Sequence, residues 1–519
     1  MVAGLLNGSF LTGHCDRSLS VGLTNGGFAG LWWVFLGTVT CYSTIVASLA
    51  EMESMAPTSG GQYHWVSEFS PPKYQKILSY TAGDDISPSQ MHPNTDSTNR
   101  MDVNPRVFVL TTLVEAIAQI TDPDFAFTTW QYTLLMIGYL LITIVFNTWL
   151  AKTLPMIETF SLFGHLLGFI VVLVPLWVMT PKNSASDVFL KVVNNAGWSN
   201  TGTSCLIAQV SVIYCNLGSD SAVHICKQHH FPPVRTLLIL PPAEEVEDAS
   251  LNVPRAMWWS YLMNVFLGII MLATMLFCIG DLNDAIDSTA PYLNLFLNTG
   301  STAMATVLMI ILLLLIFSGN ITALASTSRE MWAFSRDKGF PYSKWISRMN
   351  HTLNIPPNSI YLTSFLTTLL CLINFGSNFA FNIIVSLSLL ALLSTYMISI
   401  GCVLLKRIRG EPLPRARWSL GRWGLPINAF AFAYSGFIMV WSCFPSAVPV
   451  TTGSANVSLF YFFPSSAVKQ ARCLWAPAVW VGVIFLSGII YVVHGRKHYT
   501  PPVVFVAGRR VSDTLQGVD

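Results

Sequence analysis

Ten stretches of this chain run for about twenty residues with scarcely a charge: 27–50, 131–150, 156–179, 203–224, 257–279, 302–326, 356–375, 379–405, 425–445 and 476–494. Each is long enough to cross a hydrocarbon layer about 30 Å thick as a helix. The most apolar, "STAMATVLMIILLLLIFSGNITALAS", has no charge from 301 to 326. Two further candidates are incomplete. Residues 1–26 hold only short apolar pieces. Residues 77–120 open and close like one helix, "QKILSYTAG" and "VFVLTTLVEAIAQI", around the polar insert "DDISPSQMHPNTDSTNRMDVNPR", which cannot enter hydrocarbon. With both included the pattern predicts twelve spans and an all-α polytopic membrane protein.

The loops between spans differ in charge. Arg329, Arg336, Lys338, Lys344 and Arg348 follow 302–326; Lys406, Arg407, Arg409, Arg415, Arg417 and Arg422 follow 379–405; Arg496, Lys497, Arg509 and Arg510 follow the last span. The loop 280–301 has Asp281, Asp284 and Asp287 but neither Lys nor Arg. The excess of Lys and Arg marks the cytoplasmic side, which predicts that both termini lie inside. Composition agrees with the spans: of 519 residues, 52% are hydrophobic and 10% charged, with mean hydropathy +0.54. A soluble domain carries about 25% charged residues. The net charge of +2 offers no basic face for nucleic acid. Ten cysteines are scattered with no CxxC pair, the behaviour of small apolar side chains rather than ligands. The first twenty residues lack the charged start of a cleaved signal peptide.

Polar breaks inside spans are where a helix bundle places chemistry. The strongest is "SVIYCNLGSDSAVH" at 211–224. Gly218 permits unwound backbone, and Ser219 or Asp220 could cap a second half-helix. Free N–H groups and the positive helix end would then face an anion such as a carboxylate. The same residues, with Asn216 and Ser221, would equally suit a helix end at the interface with Asp220 as a solvated cap. Asn320 in "SGN" could face a cavity or bond a neighbouring helix. Glu115, Glu158 and His165 are isolated polar residues near or within spans, with packing roles; His224 lies at a span end. Trp32, Trp33, Trp258 and Trp259 stand at span ends as an interfacial belt does.

No GxxxxGK[ST] loop occurs, which argues against an ATP-driven pump. No catalytic Ser/His/Asp or metal-ligand spacing emerges, so neither an enzyme nor a cofactor is expected. The sequons at Asn7, Asn320, Asn350 and Asn456 are uninformative, since some fall in predicted membrane or cytoplasm.

Seven motifs together carry a likeness: "GLTNGGFAGLWW" (22–33), "ASLAEMESMAPTSGGQYHWVSEFSPP" (47–72), "GSDSAVH" (218–224), "EEVEDASLNVPRAM" (244–257), "STSREMWAFSRDKGFPYSKWISRM" (326–349), "WSLGRWGLPINAFA" (418–431) and "HGRKHYT" (494–500). From about 20 to 505 the chain resembles the fungal amino acid, GABA and choline permeases of the amino acid–polyamine–organocation (APC) superfamily. The resemblance implies about twelve helices, two inverted five-helix repeats plus two. It also implies proton-coupled uptake of amino acids or small amines across the plasma membrane by alternating access. The first and sixth helices would unwind to bind substrate, which gives Tyr214, Asn216, Gly218, Ser219 and Asp220 the site role. "PTSGGQYHW" would be the cytoplasmic link after the second helix.

The chain departs from that family at both doubtful helices. The first helix is replaced by "NGSFLTGHCDRSLS", the third is interrupted at 84–106, and about seventeen residues separate "SDSAVH" from the acidic "EE" stretch. The text of 457–474 could encode intron boundaries, and removing it or 226–242 restores family-like junctions. The expectation is therefore one transporter domain over 1–505 with non-family segments at about 84–106, 226–242 and 457–474, followed by a cytoplasmic tail at 506–519. The alternative function is a transport-inactive permease-like protein or receptor, or a mis-spliced gene product.

Overall fold

In hydrocarbon every backbone N–H and C=O must be satisfied within the segment, which leaves helices as the answer to apolar runs of this length. A computed structural model of the chain describes residues 15–58, 60–85, 103–220, 223, 248–287, 291–350, 352–353, 355–376, 378–445, 447–448, 475–503, 505–506 and 509–510. The main helices are α1 (Cys15–Met55), α2 (Gln62–Phe69), α3 (Gln75–Asp85), α4 (Val103–Gln119), α5 (Thr129–Thr148), α6 (Leu154–Met179) and α7 (Thr201–Tyr214). They continue with α8 (Ala249–Cys278), α9 (Thr302–Arg336), α10 (Pro357–Gly376), α11 (Asn378–Ile408), α12 (Gly424–Trp441) and α13 (Trp475–Ile490). Seven described segments are long and apolar enough to span a bilayer, centred on α1, α5, α6, α8, α9, α11 and α12. The chain is an integral membrane protein.

α1 is two arms. At Gly27 the backbone takes φ +62°, ψ −161°, a region essentially reserved for glycine. The chain reverses there, so Gly22 packs against the Leu31 side chain. A straight helix would hold those two residues about 13 Å apart. Residues 15–26, part of the incomplete first candidate, form the first arm, with Leu19 and Leu23 buried. The sixth span carries the interruption that its polar residues suggested. The pattern makes 203–224 one continuous run, but the helix stops at Tyr214. A turn comes next, because Gly218 adopts φ +81°.

The interrupted third span is present as two pieces. Gly83 on α3 packs against Phe334, and the Arg106 guanidinium on α4 donates to the Gly319 carbonyl at 2.7 Å. Fifteen residues separate 319 from 334, about 22 Å of helix. α3 and α4 thus occupy successive levels along α9, as one antiparallel helix would. Of the segment 84–106, residues 84–85 and 103–106 are helical; its remainder, and 226–242, 457–474, Ser221 and His224, lie outside the described residues.

The bundle has two chemically different ends. At the basic end, Trp418 N–H donates to Ser54, Lys76 to the Arg496 carbonyl, and Thr500 N–H to the Asp337 carbonyl. At the other end, Val193 N–H donates to Gly26, Asn183 Nδ2 to Gly280, and Asn298 Nδ2 to Ile279. Between them runs an outer belt of exposed apolar side chains, such as Phe160, Leu167, Ile170 and Val178 on α6. A soluble surface does not leave such a face bare; lipid covers it. In the tail, Phe505–Val506 pairs antiparallel with Arg509–Arg510, and 511–519 lie outside the described residues.

Candidate functional site

The sequence "YCNLGSD" ends α7 by local competition. Asn216 N–H bonds to the Ile213 carbonyl and its side-chain amide to the Val212 carbonyl, both at 2.8 Å. Ser219 Oγ donates to the Asn216 carbonyl at 2.9 Å. Short polar side chains that satisfy nearby backbone groups favour turns over helix, and Gly218 supplies the positive φ. Tyr214 and Ser219 are half-buried, Asn216 and Asp220 buried.

Asp220 ties the turn to other elements. Its carboxylate accepts the Tyr396 hydroxyl of α11 at 2.7 Å, and a short hydrogen bond from the Gln62 side-chain amide at the start of α2. All three residues are at most 3% exposed. Tyr42 of α1, fully buried, lies near Asp220 and Ser219. A buried carboxylate is tolerated when donors reach it, and here they come from α2 and α11. The site is thus a junction of the unwound turn, the second arm of α1, α2 and α11.

The first arm of α1 lies directly against α7. Ser204 Oγ donates to Asn25 Oδ1 at 3.1 Å, and Gly22 faces Ser211. The first and sixth helices are adjacent, and each carries a glycine-dependent break, although the Gly27 break is a hairpin at the bundle end.

Gln62, Tyr396 and Tyr42 escaped the sequence reading. Gln62 sits in the "PTSGGQYHW" motif and could have been suspected as a polar side chain beside two glycines. Tyr396 is one hydroxyl in an apolar run and leaves no pattern. A second polar cluster was only partly seen. His165 Nδ1 lies 2.7 Å from the Ser161 carbonyl, Ser161 Oγ lies 2.6 Å from Ser318 Oγ, and Arg106 binds the neighbouring Gly319. Asn320 donates to Thr143 Oγ1 at 2.8 Å, the interhelical role rather than a cavity-facing one. Glu115 ties a loop by accepting the Phe127 N–H at 2.9 Å.

At the basic end Glu51 meets Arg407 at 2.6 Å with side chains 2% and 13% exposed. Its other oxygen accepts Leu420 N–H at 2.9 Å and Ser419 Oγ at 3.2 Å. This joins the "AEMES" and "WSLGRW" motifs.

A family model described as amino acid permease matches residues 2–464. An amino acid/polyamine transporter of Macrophomina phaseolina is 26% identical over 444 residues, 84% of this chain and 92% of its own. A choline transporter of Saccharomyces cerevisiae is 25% identical over 458 residues, covering 87% and 76%. A solved transporter of the nucleobase–cation symport family, with bromovinylhydantoin bound, superposes with TM-score 0.48 at 13% identity, covering 88% of this chain and 94% of its own.

Proposed function

Because the chain belongs to the amino acid permease family, a family of membrane transporters and not enzymes, we propose that it is a proton-coupled permease for amino acids or small amines. Choline, GABA and polyamines are included in that range. The observation that carries the reading is the unwound turn after α7, whose buried Asp220 is held by donors from α2 and α11. Tyr214, Asn216, Gly218, Ser219 and Asp220 line the substrate's path. Peptide groups released from the helix ladder by the turn are available to a substrate carboxylate, and Asp220 to a substrate ammonium. A buried carboxylate exchanging its tyrosine and amide donors for a cationic group is a change that one bound solute can drive.

Transport proceeds by alternating access, with the basic end in the cytoplasm, both termini inside, and the protein in the plasma membrane. The two relatives are named for amino acid/polyamine and choline transport. Those solutes share a cationic nitrogen, which suits an acidic side chain at the turn. The rival reading, a transport-inactive permease-like receptor, rests on the departures in the first and third helices.

The test is uptake of labelled choline, GABA, a neutral amino acid and a polyamine by permease-deficient yeast expressing the chain. Accumulation abolished by an uncoupler is expected for at least one solute. Good surface expression with no accumulation of any of them would favour the receptor reading.

A further inference from the structure

The segment after α13 is built into the bundle more deeply than a tail needs to be. Tyr499 is 1% exposed. Its hydroxyl lies 2.7 Å from Ser79 Oγ on α3, and the Ser79 hydroxyl donates to the Tyr63 carbonyl on α2 at 2.9 Å. The Tyr499 ring packs edge-on against Tyr80, centroids 5.2 Å apart, and lies tilted against Phe334 of α9 at 5.5 Å. Further along, Thr500 N–H donates to the Asp337 carbonyl at 3.1 Å. Gln75 Nε2 then bridges the Val503 carbonyl, at 2.7 Å, to the Ser67 carbonyl of α2, at 3.0 Å. The segment 496–503 therefore crosses the basic end and bonds to α2, α3 and the end of α9.

α2 is the element that delivers Gln62 to Asp220. It is a two-turn helix, with Tyr63, Trp65, Val66 and Phe69 buried. A helix this short, packed on most sides, moves as one body. Tyr63 and Ser67, which the strap network engages, lie one and five residues from Gln62. Letting the strap go frees α2 to shift, and the Gln62 amide with it.

We propose that residues 496–503 form a strap that positions Gln62 through α2, so that the turn bearing Asp220 is sealed from the basic end while the strap is docked. Tyr499 and Gln62 are positioning residues for that turn, and opening toward the basic end requires the strap to loosen. The consequence for uptake rests on the transport reading above, but the sealing does not.

The test uses native Cys215, half-buried in the turn beside Asn216, and needs no substrate. A membrane-impermeant, positively charged methanethiosulfonate is applied to sealed vesicles of either orientation, with the Cys215→Ser chain as background. Tyr499→Ala is expected to raise the Cys215 modification rate at least five-fold from the basic end and leave it unchanged from the other. Tyr499→Phe, which keeps the ring and loses only the Ser79 contact, is expected to give a smaller rise in the same sense. Gln62→Ala alone should also raise it, and the double variant should fall short of the product of the two effects, because both act on one contact. Unchanged modification in Tyr499→Phe and Gln75→Leu, with both proteins monodisperse, overturns the strap whether or not Tyr499→Ala folds. Multiplicative effects of Tyr499 and Gln62 overturn the route through α2. Failure of uptake with the labelling pattern intact would strike the transport proposal instead.

Discussion

Asp220 ties its turn to α2 and α11 at one buried carboxylate, and its partners give its behaviour a scale. A hydrogen bond to a buried charged group contributes about 1.5–3 kcal/mol. Tyr396→Phe is expected to remove one such bond and lower the thermal midpoint of the detergent-solubilised protein, and Asp220→Asn to abolish uptake. Glu51 and Arg407 form the other tight pair. Removing one partner of a buried ion pair leaves a stranded charge at a cost of about 3–5 kcal/mol. Arg407→Leu should therefore destabilise much more than Arg409→Ala, whose side chain is about half exposed; melting curves of the two variants compare them directly. Asp220 was legible in the sequence because an ionisable residue beside glycine in an apolar run is conspicuous. Its donors were not, since a tyrosine in an apolar helix and a glutamine in a loop motif acquire meaning only when the chain brings them together.

At the scale of elements, the breaks matter more than the spans. Gly27 turns α1 back on itself at a backbone angle no other residue adopts readily, and a Cβ there would press on Val193. Gly27→Ala is expected to cost about 1–3 kcal/mol from backbone strain alone, read as a lower melting temperature. Gly37, with open space around it, is the control position: alanine there should be tolerated. The apolar periodicity predicted where helices run. It overran the end of α7 because residues 215–224 keep enough apolar character to extend a span on paper, while Gly218 and the Asn216 and Ser219 side chains stop the helix in fact. It also undervalued residues 15–26, where the polar side chains of Thr24 and Asn25 hydrogen-bond to their own helix or to α7. Thr24 donates to the Ser20 carbonyl, and Asn25 donates to the Val21 carbonyl and accepts from Ser204.

Across the whole molecule, four of the seven family motifs converge on one end. "AEMES", "GGQYHW", "SRDKGF", "WSLGRW" and "HYT" contribute Glu51, Tyr63, Asp337, Leu420 and Tyr499 to a single rim of buried polar contacts. A linear reading recognised them as family text but could not see that they touch. The rim also titrates. His64, at this rim and of intermediate exposure, has its imidazole pushed down to about 4, first by burial and then by the nearby Arg336 guanidinium. A histidine depressed in the folded state takes up protons preferentially when unfolded. It therefore lowers stability as pH falls from about 6.5 toward 4, by up to about 1.4 kcal/mol per pH unit. Asp337 opposes this: burial raises its carboxyl above the usual range, so its protonated form favours the fold as pH falls toward its ordinary value. His64→Gln is expected to flatten the loss of melting temperature between pH 6.5 and 4, and an unchanged profile would refute the assignment.

The central claim is that this chain moves a solute through the turn at Asp220, and counterflow in proteoliposomes measures that most directly. Purified protein would be reconstituted with an excess of the solute identified by uptake, then diluted into the same solute labelled at trace level. Wild-type protein is predicted to accumulate label transiently, and Asp220→Asn of equal melting temperature to show none. Absence of counterflow by the wild type, or its persistence in Asp220→Asn, would contradict the account.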